Sequence, residues 1–210
     1  HLIIATGSSP LKPGIPGING EHIFTLWNIA DTDRIKAFVQ ENHPRSAAVI
    51  GGGFIGVEMA ENLHAAGLAV SIIEMQNQVM APMDYEMAQL LHENMELNGV
   101  RLLLEDGVKS FGQENGQVKI LLSGGRKVNA DMVILSIGVR PNSALAADAG
   151  LALNERGGIV VNGHLQTSVP NIYAVGDVIE VTQFTTGNKT MIPLAGPANK
   201  QARICADNIV

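Results

Sequence analysis

Three glycines, Gly51, Gly53 and Gly56, have the spacing that brings a backbone close to a diphosphate. Gly51 permits a tight turn, Gly53 lets the backbone approach the phosphates, and Gly56 lets the following helix pack closely. The free N–H groups at the start of that helix would face the phosphates, and the helix dipole would favour their negative charge. This pattern therefore predicts a dinucleotide site.

The elements around these glycines strengthen that prediction. An apolar strand at 47–50 precedes them, a helix that ends near Ala65 follows, and the next strand ends at Glu74. An acid at that position accepts hydrogen bonds from the adenosine ribose hydroxyls. Because a carboxylate repels a 2′-phosphate and residues 75–78 include no arginine, we expect NADH to be preferred over NADPH. The structural alternative is a glycine-rich turn that binds nothing.

Two further stretches have the features of nucleotide-binding turns. The apolar run 2–5 opens onto Gly7, and the stretch 167–177 ends in Asp177, a carboxylate at the end of a strand. Such a group could accept hydrogen bonds from sugar hydroxyls, although an ordinary Gly-Asp turn explains it equally well. Residues 193–197 precede a helix and would supply backbone N–H donors. Glu58 is either an acid near a helix N-terminus or a group that contacts a ligand.

Periodicity predicts an α/β fold with a parallel sheet. Strands are expected at 47–50, 68–73, 100–104 and 132–137, with helices at 32–41 and 85–98 besides the one that follows the glycines. Asp31 is the expected N-cap of the first helix. Short runs separated by hairpin turns predict an antiparallel meander at 108–111, 118–122 and 127–128. The proline- and glycine-rich residues 8–20 are expected to form a linker.

Composition excludes several classes of protein. With 14 basic and 20 acidic residues, the net charge of −6 argues against a nucleic-acid or anionic-membrane partner. No apolar run reaches the ~18–20 residues of a membrane span. The single cysteine, Cys205, excludes an internal disulfide and favours a reducing cytoplasm. No cluster of His, Cys and Asp residues has a metal-ligand spacing, so no metal site is expected.

Five motifs occur in a characteristic order, and together they resemble the flavin-dependent pyridine nucleotide-disulfide oxidoreductases. They are Ala5–Pro10, Gly51–Glu58, Gly138–Asn142, Thr167–Asp177 and Pro193–Arg203. The stretches 52–63 and 194–199 are most similar to the coenzyme A-disulfide reductase and NADH oxidase branch. The resemblance covers essentially the whole chain.

The resemblance implies a Rossmann-like NAD-binding domain inserted into a partial FAD-binding domain. The implied segments are 1–24 and 144–210 for the FAD domain and 25–143 for the NAD domain. The implied cofactor-binding residues are Ala5, Thr6, Gly7, Gly51, Gly52, Gly53, Phe54, Ile55, Gly56, Glu58, Glu74, Gly138, Val139, Asp177, Leu194 and Ala195. Among them, the match places Asp177 at the ribityl chain of FAD, Leu194 and Ala195 at the flavin edge, and Glu58 near the nicotinamide.

The activity implied by the resemblance is hydride transfer from NAD(P)H to FAD, then to a disulfide such as coenzyme A disulfide or to oxygen. The redox cysteine would precede His1, and the intact enzyme is expected to be a homodimer. Cys205 is expected only to pack, so the chain itself contains no expected catalytic residue. Both ends look cut, the first within a strand and the last in a helix without a capping glycine, so we expect a fragment that binds NADH weakly and FAD poorly.

Three alternatives compete with this interpretation. One is a nucleotide-binding module without catalytic activity, and another is a ferredoxin- or rubredoxin-type reductase. A flavin-free NAD dehydrogenase is disfavoured because Tyr85 and Tyr173 are followed four residues later by Gln89 and Asp177 rather than by lysine.

Overall fold

The computed structural model of the protein describes all 210 residues, which form two compact units. The inserted unit is Pro10–Gly138, and the outer unit combines His1–Ser9 with Val139–Val210. In chain order the elements are β1 (Leu2–Ile4), β2 (Ser8–Pro10), β3 (Ile23–Thr25), α1 (Ile29–Asn42), β4 (Ser46–Ile50), α2 (Phe54–Ala65), β5 (Ala69–Ile73), α3 (Tyr85–Leu97), β6 (Arg101–Leu103), β7 (Val108–Glu114), β8 (Gln117–Leu122), β9 (Lys127–Ala130), β10 (Met132–Leu135), β11 (Val139–Pro141), α4 (Ala144–Asp148), β12 (Ile159–Val160), β13 (Ile172–Ala174), a 3-10 turn (Gly176–Val178), β14 (Ile179–Thr182), β15 (Lys189–Thr190) and α5 (Ala195–Ile209).

A five-stranded parallel sheet forms the centre of the inserted unit, in the order β3-β10-β4-β5-β6. All four residues of β10 are buried, as expected for a parallel strand covered on both faces. The strands β7, β8 and β9 form the antiparallel meander. The predicted α/β class, with its parallel sheet and meander, is confirmed.

Alternation along β4 divides the core of the inserted unit into two layers. Ala47 and Val49 pack in a cluster with side chains of α1, α2 and α3, whereas Ala48 and Ile50 pack with the meander. Successive side chains of a strand point to opposite faces, so the helices cover one face of the sheet and the meander covers the other. Because the helices and the meander cover the two faces of the sheet, the carboxyl ends of its strands lie along an edge that neither layer covers.

The first helix begins earlier than the sequence predicted. Asn28, rather than Asp31, is the N-cap of α1: its side chain accepts a hydrogen bond from the Asp31 N–H at 3.0 Å. The Asp31 carboxylate in turn accepts from the N–H of Asn28 at 3.4 Å, which completes a capping box. Asp31 therefore occupies the third helical position, and the prediction of Asp31 as N-cap was wrong.

The boundaries of the two compact units, after Ser9 and after Gly138, differ from those of the predicted segments 1–24, 25–143 and 144–210. Residues 10–24 belong to the inserted unit, where Ile18 is buried beside Phe111 and the Phe111 N–H donates to the Pro16 carbonyl at 2.8 Å. Part of the expected linker is also ordered as β2. The domain boundaries of the intact protein, 1–24, 25–143 and 144–210, stay a prediction.

The outer unit contains a parallel pair, β1 with β13, and a three-stranded sheet in the order β12-β14-β15. Its buried cluster includes Ile4, Ile159 and Cys205, whose side chain has no exposed surface. Burial raises the pKa of the Cys205 thiol, which keeps it protonated and unreactive. None of the helices is long and apolar enough to cross a bilayer.

Asp131 joins the amino ends of two strands to the meander, and its ionisation should affect stability. Its carboxylate accepts hydrogen bonds from the Arg45 N–H (2.7 Å), the Ser46 N–H (2.9 Å) and hydroxyl (3.0 Å), and the Gln117 amide (2.7 Å). Partial burial raises the pKa of Asp131, but the hydrogen bonds from Gln117, Arg45 and Ser46 together outweigh it and hold the pKa below its usual value.

Replacing Asp131 with asparagine is expected to lower the free energy of unfolding at neutral pH by about 1.5–3 kcal/mol, the range for hydrogen bonds to a charged group. Because the folded-state pKa is depressed, this stabilisation is complete above the unfolded-state pKa and is lost as the pH falls through the folded-state value. Urea unfolding between pH 7 and pH 3 should therefore show the two proteins converging in acid. The exposed Asp33→Asn variant is the control, and a constant difference across this pH range would contradict the expectation.

Candidate functional site

The glycine turn, residues 51–53 between β4 and α2, and Glu74 lie at the same edge of the inserted unit's sheet. Ile50 pairs with Ile73 and with Leu135, so the residues that follow β4, β5 and β10 leave the sheet at the same level. In open parallel sheets, ligands bind at this carboxyl edge. The register thus brings Gly51, Glu74 and Ser136 together.

Two of the glycines are required by the fold itself. Gly51 has φ +101°, and a Cβ there would lie 2.5 Å from the carbonyl oxygen of Ser136. A Cβ on Gly56 would lie only 1.9 Å from the Gly51 carbonyl oxygen. The Ser136 hydroxyl donates to the Ile50 carbonyl at 2.8 Å and fixes the end of β10 against the turn. These contacts explain the first and third glycines without any ligand.

Gly53 has no such structural requirement. It adopts an extended conformation with φ −76°, it is exposed, and a Cβ there would have no protein atom within 4 Å. Gly53 is the N-cap of α2, yet no side chain caps this helix. The first N–H groups of the helix, including those of Phe54 and Ile55, have no intrahelical acceptor because of helix geometry. The open space and these donors fit a phosphate group.

The Glu74 carboxylate is held in place by the backbone. One oxygen accepts a hydrogen bond from the Gly52 N–H at 2.7 Å, and the other accepts from the Gln76 N–H at 2.8 Å. A carboxylate has about four lone-pair sites, so each oxygen keeps one for a further donor. Two adjacent hydroxyls of a ribose match this capacity. The sequence did not indicate that Glu74 also supports the glycine turn.

Gly52 is also fixed by the segment that follows Glu74. A Cβ on Gly52 would lie 2.8 Å from a methyl group of Val79, and the Gly52 carbonyl accepts from the Met80 N–H at 2.7 Å. Both polar groups of the Gly52 peptide backbone, its N–H and its carbonyl, are therefore satisfied by the chain after β5. Sequence reasoning missed Val79 and Met80, because an apolar loop residue has no pattern that indicates its neighbour.

Glu58 and Gly138 also belong to the inserted unit, but no hydrogen bond joins them to the glycine turn. The Glu58 side chain is exposed on α2 and makes no hydrogen bond or ion pair. Gly138 follows β10 with φ +107° and has open space where a Cβ would be. Val139, at the start of β11, is half-buried and belongs to the outer unit.

In the outer unit, Asp177 lies beside the turn that follows β1. The pairing of Ile4 with Ala174 places residues 5–7 and Asp177 at the carboxyl end of the same parallel pair. One Asp177 oxygen accepts a hydrogen bond from the buried Ser8 hydroxyl at 2.7 Å, and the other oxygen has no protein partner. Gly176 donates its N–H to the Gln201 side chain at 2.8 Å, which ties this turn to α5.

Asn142 holds the Thr6–Gly7 turn by three hydrogen bonds and makes a fourth with Ser9. Its side-chain amide donates to the Thr6 carbonyl (3.0 Å), its N–H donates to the Gly7 carbonyl (2.9 Å), and its side-chain oxygen accepts from Ser9 (2.9 Å). The Thr6 hydroxyl donates to the Asn142 carbonyl at 2.6 Å. Asn142 occurs in a motif noted in the sequence, but this supporting role was missed.

Leu194 and Ala195 lie at the amino end of α5. Leu194 is the N-cap, no side chain caps the helix, and the Leu194 side chain is exposed. No hydrogen bond joins these two residues to Asp177, although Gln201 links their helix to the same turn. No group of three or more His, Cys, Asp or Glu side chains is arranged to hold a metal ion.

Comparison with known proteins gives a consistent family assignment. The family described as pyridine nucleotide-disulphide oxidoreductase matches residues 1–202. An NADH oxidase from Methanocaldococcus jannaschii is 38% identical over 100% of this chain and 46% of its own length. A coenzyme A disulfide reductase from Staphylococcus haemolyticus is 31% identical over 92% of this chain and 43% of its own.

A solved structure gives the same result. The crystal structure of reduced CoADR-RHD from Bacillus anthracis is 55% identical and superposes with a TM-score of 0.95, covering 99% of this chain and 37% of that one. The chain thus spans less than half the length of each of these relatives. Because the family model matches residues 1–202 and the fold superposes on that solved structure, the chain belongs to the pyridine nucleotide-disulphide oxidoreductase family.

Proposed function

We propose that the inserted unit binds NADH at its glycine turn and that the intact protein is a flavoprotein that reduces a small disulfide or oxygen. The observation that carries this proposal is the space at Gly53, bordered by uncapped N–H groups of α2 and by the fixed carboxylate of Glu74. When bound, NADH supplies a hydride and FAD accepts it. The residues of this chain bind and orient the two cofactors.

The glycine turn supports dinucleotide binding because only part of it is explained by protein packing. A larger residue at Gly51 or Gly56 would meet backbone, whereas a larger residue at Gly53 would meet nothing. The space at Gly53 is therefore available to a ligand. Uncapped N–H groups at a helix amino end and the dipole of α2 favour an anionic one.

Glu74 supports a preference for NADH over NADPH. Each oxygen of its carboxylate accepts a hydrogen bond from a backbone N–H group. The side chain therefore cannot change rotamer without breaking two hydrogen bonds. A 2′-phosphate beside it would meet a like charge, and unit charges 4 Å apart repel by about 4 kcal/mol near a protein surface. Residues 75–78 contain no cation that could offset this repulsion.

Asp177 supports the FAD part of the proposal. Its second oxygen has no protein partner and can accept a hydrogen bond from a hydroxyl of the ribityl chain. Ser8 fixes the first oxygen, and Asn142 fixes the backbone of Thr6 and Gly7 at the same end of the strand pair. The family uses FAD and pyridine nucleotides, which supports assigning one cofactor to each of the two turns.

The electron acceptor is proposed from the relatives rather than from this chain. Relatives of this chain are named as a coenzyme A disulfide reductase and as an NADH oxidase, so a coenzyme A disulfide or oxygen is the proposed acceptor. We further propose a cytoplasmic location, in keeping with the single, unpaired cysteine, and a homodimer, which the family resemblance implies. That charge gives no reason to expect a nucleic-acid or membrane partner.

The test is a fluorescence titration of the intact protein with NADH and with NADPH. We expect NADH to bind at least about tenfold more tightly, a difference of about 1.4 kcal/mol. Glu74→Gln should reduce this ratio, because it removes the like charge that opposes a 2′-phosphate. The matched control is Glu61→Gln, which removes an exposed charge on α2. Tighter binding of NADPH to the wild-type protein, or an unchanged ratio in Glu74→Gln, would refute the proposed preference.

A further inference from the structure

Residues 78–80, which we call the Gly52 clasp, cover the glycine turn from the side of the sheet's helices. Val79 is fully buried and contacts the position where a Gly52 Cβ would lie, and Met80 donates its N–H to the Gly52 carbonyl. Met80 has φ +52°, an uncommon conformation for a residue with a side chain. The clasp therefore needs support from elsewhere to keep this shape.

His92 of α3 supplies that support. Its Nε2 accepts a hydrogen bond from the Val79 N–H at 3.1 Å, and the residue is only 8% exposed. A ring nitrogen that accepts a hydrogen bond does so through its lone pair, so this contact uses Nε2 as an acceptor. The neighbouring residues Leu91 and Met95 on α3 pack into the apolar cluster. His92 is the buried polar side chain of α3, and it satisfies a buried backbone donor.

We propose that His92 is a positioning residue for the dinucleotide turn. It acts through Val79 and Met80 on Gly52, whose N–H is held by Glu74 on the other side. If the acceptor is removed, the buried Val79 N–H loses its partner and the clasp shifts toward solvent, because an unsatisfied buried donor is costly. Gly52 then loses the support that aligns the turn with the phosphates. This inference rests on the proposed binding of NADH.

The test compares two substitutions at position 92 in the intact protein. In His92→Gln, the side-chain amide oxygen lies close to the position of Nε2 and can accept from Val79, whereas His92→Leu fills the space without an acceptor. We expect the dissociation constant for NADH to rise about tenfold in His92→Leu and to stay within about twofold in His92→Gln, the range for loss of one buried hydrogen bond. Equal weakening in both variants would overturn the positioning role.

The control separates positioning from general stability. Leu91→Ala removes apolar packing from the same helix, so it should lower the melting temperature and leave the NADH dissociation constant within about twofold of wild type. If Leu91→Ala weakens NADH binding as much as His92→Leu does, the effect belongs to the whole helix and the inference is wrong. If wild-type protein binds no NADH, the proposed function fails; if it binds NADH and His92→Leu binds equally well, only this inference fails.

A second measurement does not depend on any variant folding. Amide hydrogen exchange at Val79 in the wild-type protein reports how often its bond to His92 opens. If the clasp and the turn are coupled, NADH binding should slow exchange at Val79 by about tenfold or more. An exchange rate that is the same with and without NADH would contradict the coupling.

Discussion

Gly56→Ala is expected to weaken NADH binding strongly and to lower the free energy of unfolding by about 1–3 kcal/mol, the usual cost of inserting a methyl group into a well-packed site. The new Cβ would lie 1.9 Å from the Gly51 carbonyl oxygen, which belongs to the backbone and has no flexible end to move aside. Relief requires α2 to move away from the end of β4. The amino end of the helix would then no longer face the phosphates, and we expect the NADH dissociation constant to rise at least about a hundredfold.

Chemical unfolding and NADH titration of the same preparation test this expectation. The control is Gly112→Ala in β7, where a Cβ meets no protein atom within 4 Å and the backbone φ is ordinary. It should leave both quantities close to wild type or slightly raise stability, because alanine has less conformational freedom to lose than glycine. A Gly56→Ala protein with wild-type stability and affinity would show that α2 and the turn are less tightly packed than the structure indicates.

Gly53→Ser should separate binding from folding. At this N-cap position, with φ −76° and ψ −173°, a serine hydroxyl can accept a hydrogen bond from the N–H of Ile55 or Gly56. Serine is at least as good an N-cap as glycine, so stability should be unchanged or higher by a few tenths of a kcal/mol. The hydroxyl would nevertheless occupy the space and the donors that a diphosphate needs. We expect the NADH dissociation constant to rise by about tenfold to a hundredfold.

The same two measurements, with Gly112→Ser as the matched control, test this prediction. Stability that stays constant while affinity falls is the expected pattern, and it contrasts with Gly56→Ala, where both fall. Wild-type affinity in Gly53→Ser would mean that the ligand does not use the space at Gly53. In that case the uncapped helix end would have another explanation, and the proposed site would lose its main support.

Much of the inserted unit could be predicted from sequence because its strands are covered on both faces. The strands β4, β5 and β10 could be recognised without knowing which strands pair with them. Burial on both faces of the sheet makes such strands mostly hydrophobic along their length. By contrast, β3 was missed. It has only three half-buried residues and lies at the edge of the sheet, so it lacks a distinctive pattern.

For a similar physical reason, the residues proposed to face the ligand could be identified from the sequence, whereas the residues that support them could not. The glycine spacing and Glu74 could be read locally, because one turn and the end of the next strand carry the whole pattern. The supports of that site are long-range. Asn142 holds Thr6 although 136 positions separate them, and His92 reaches Val79 from a different element. Such contacts depend on the register of the folded chain, which a single sequence does not display.

The order of strands in the outer unit has a consequence for biosynthesis. Its first strand, β1, pairs with β13, and the whole inserted unit lies between them in the chain. At a synthesis rate of about 5–20 residues per second, β1 would wait roughly ten to thirty seconds for its partner to leave the ribosome. During that time the inserted unit can complete its own sheet, while residues Leu2–Ile4 lack the backbone partners that β13 provides. We therefore expect the segment Leu2–Ile4, rather than the inserted unit, to depend on chaperones during synthesis.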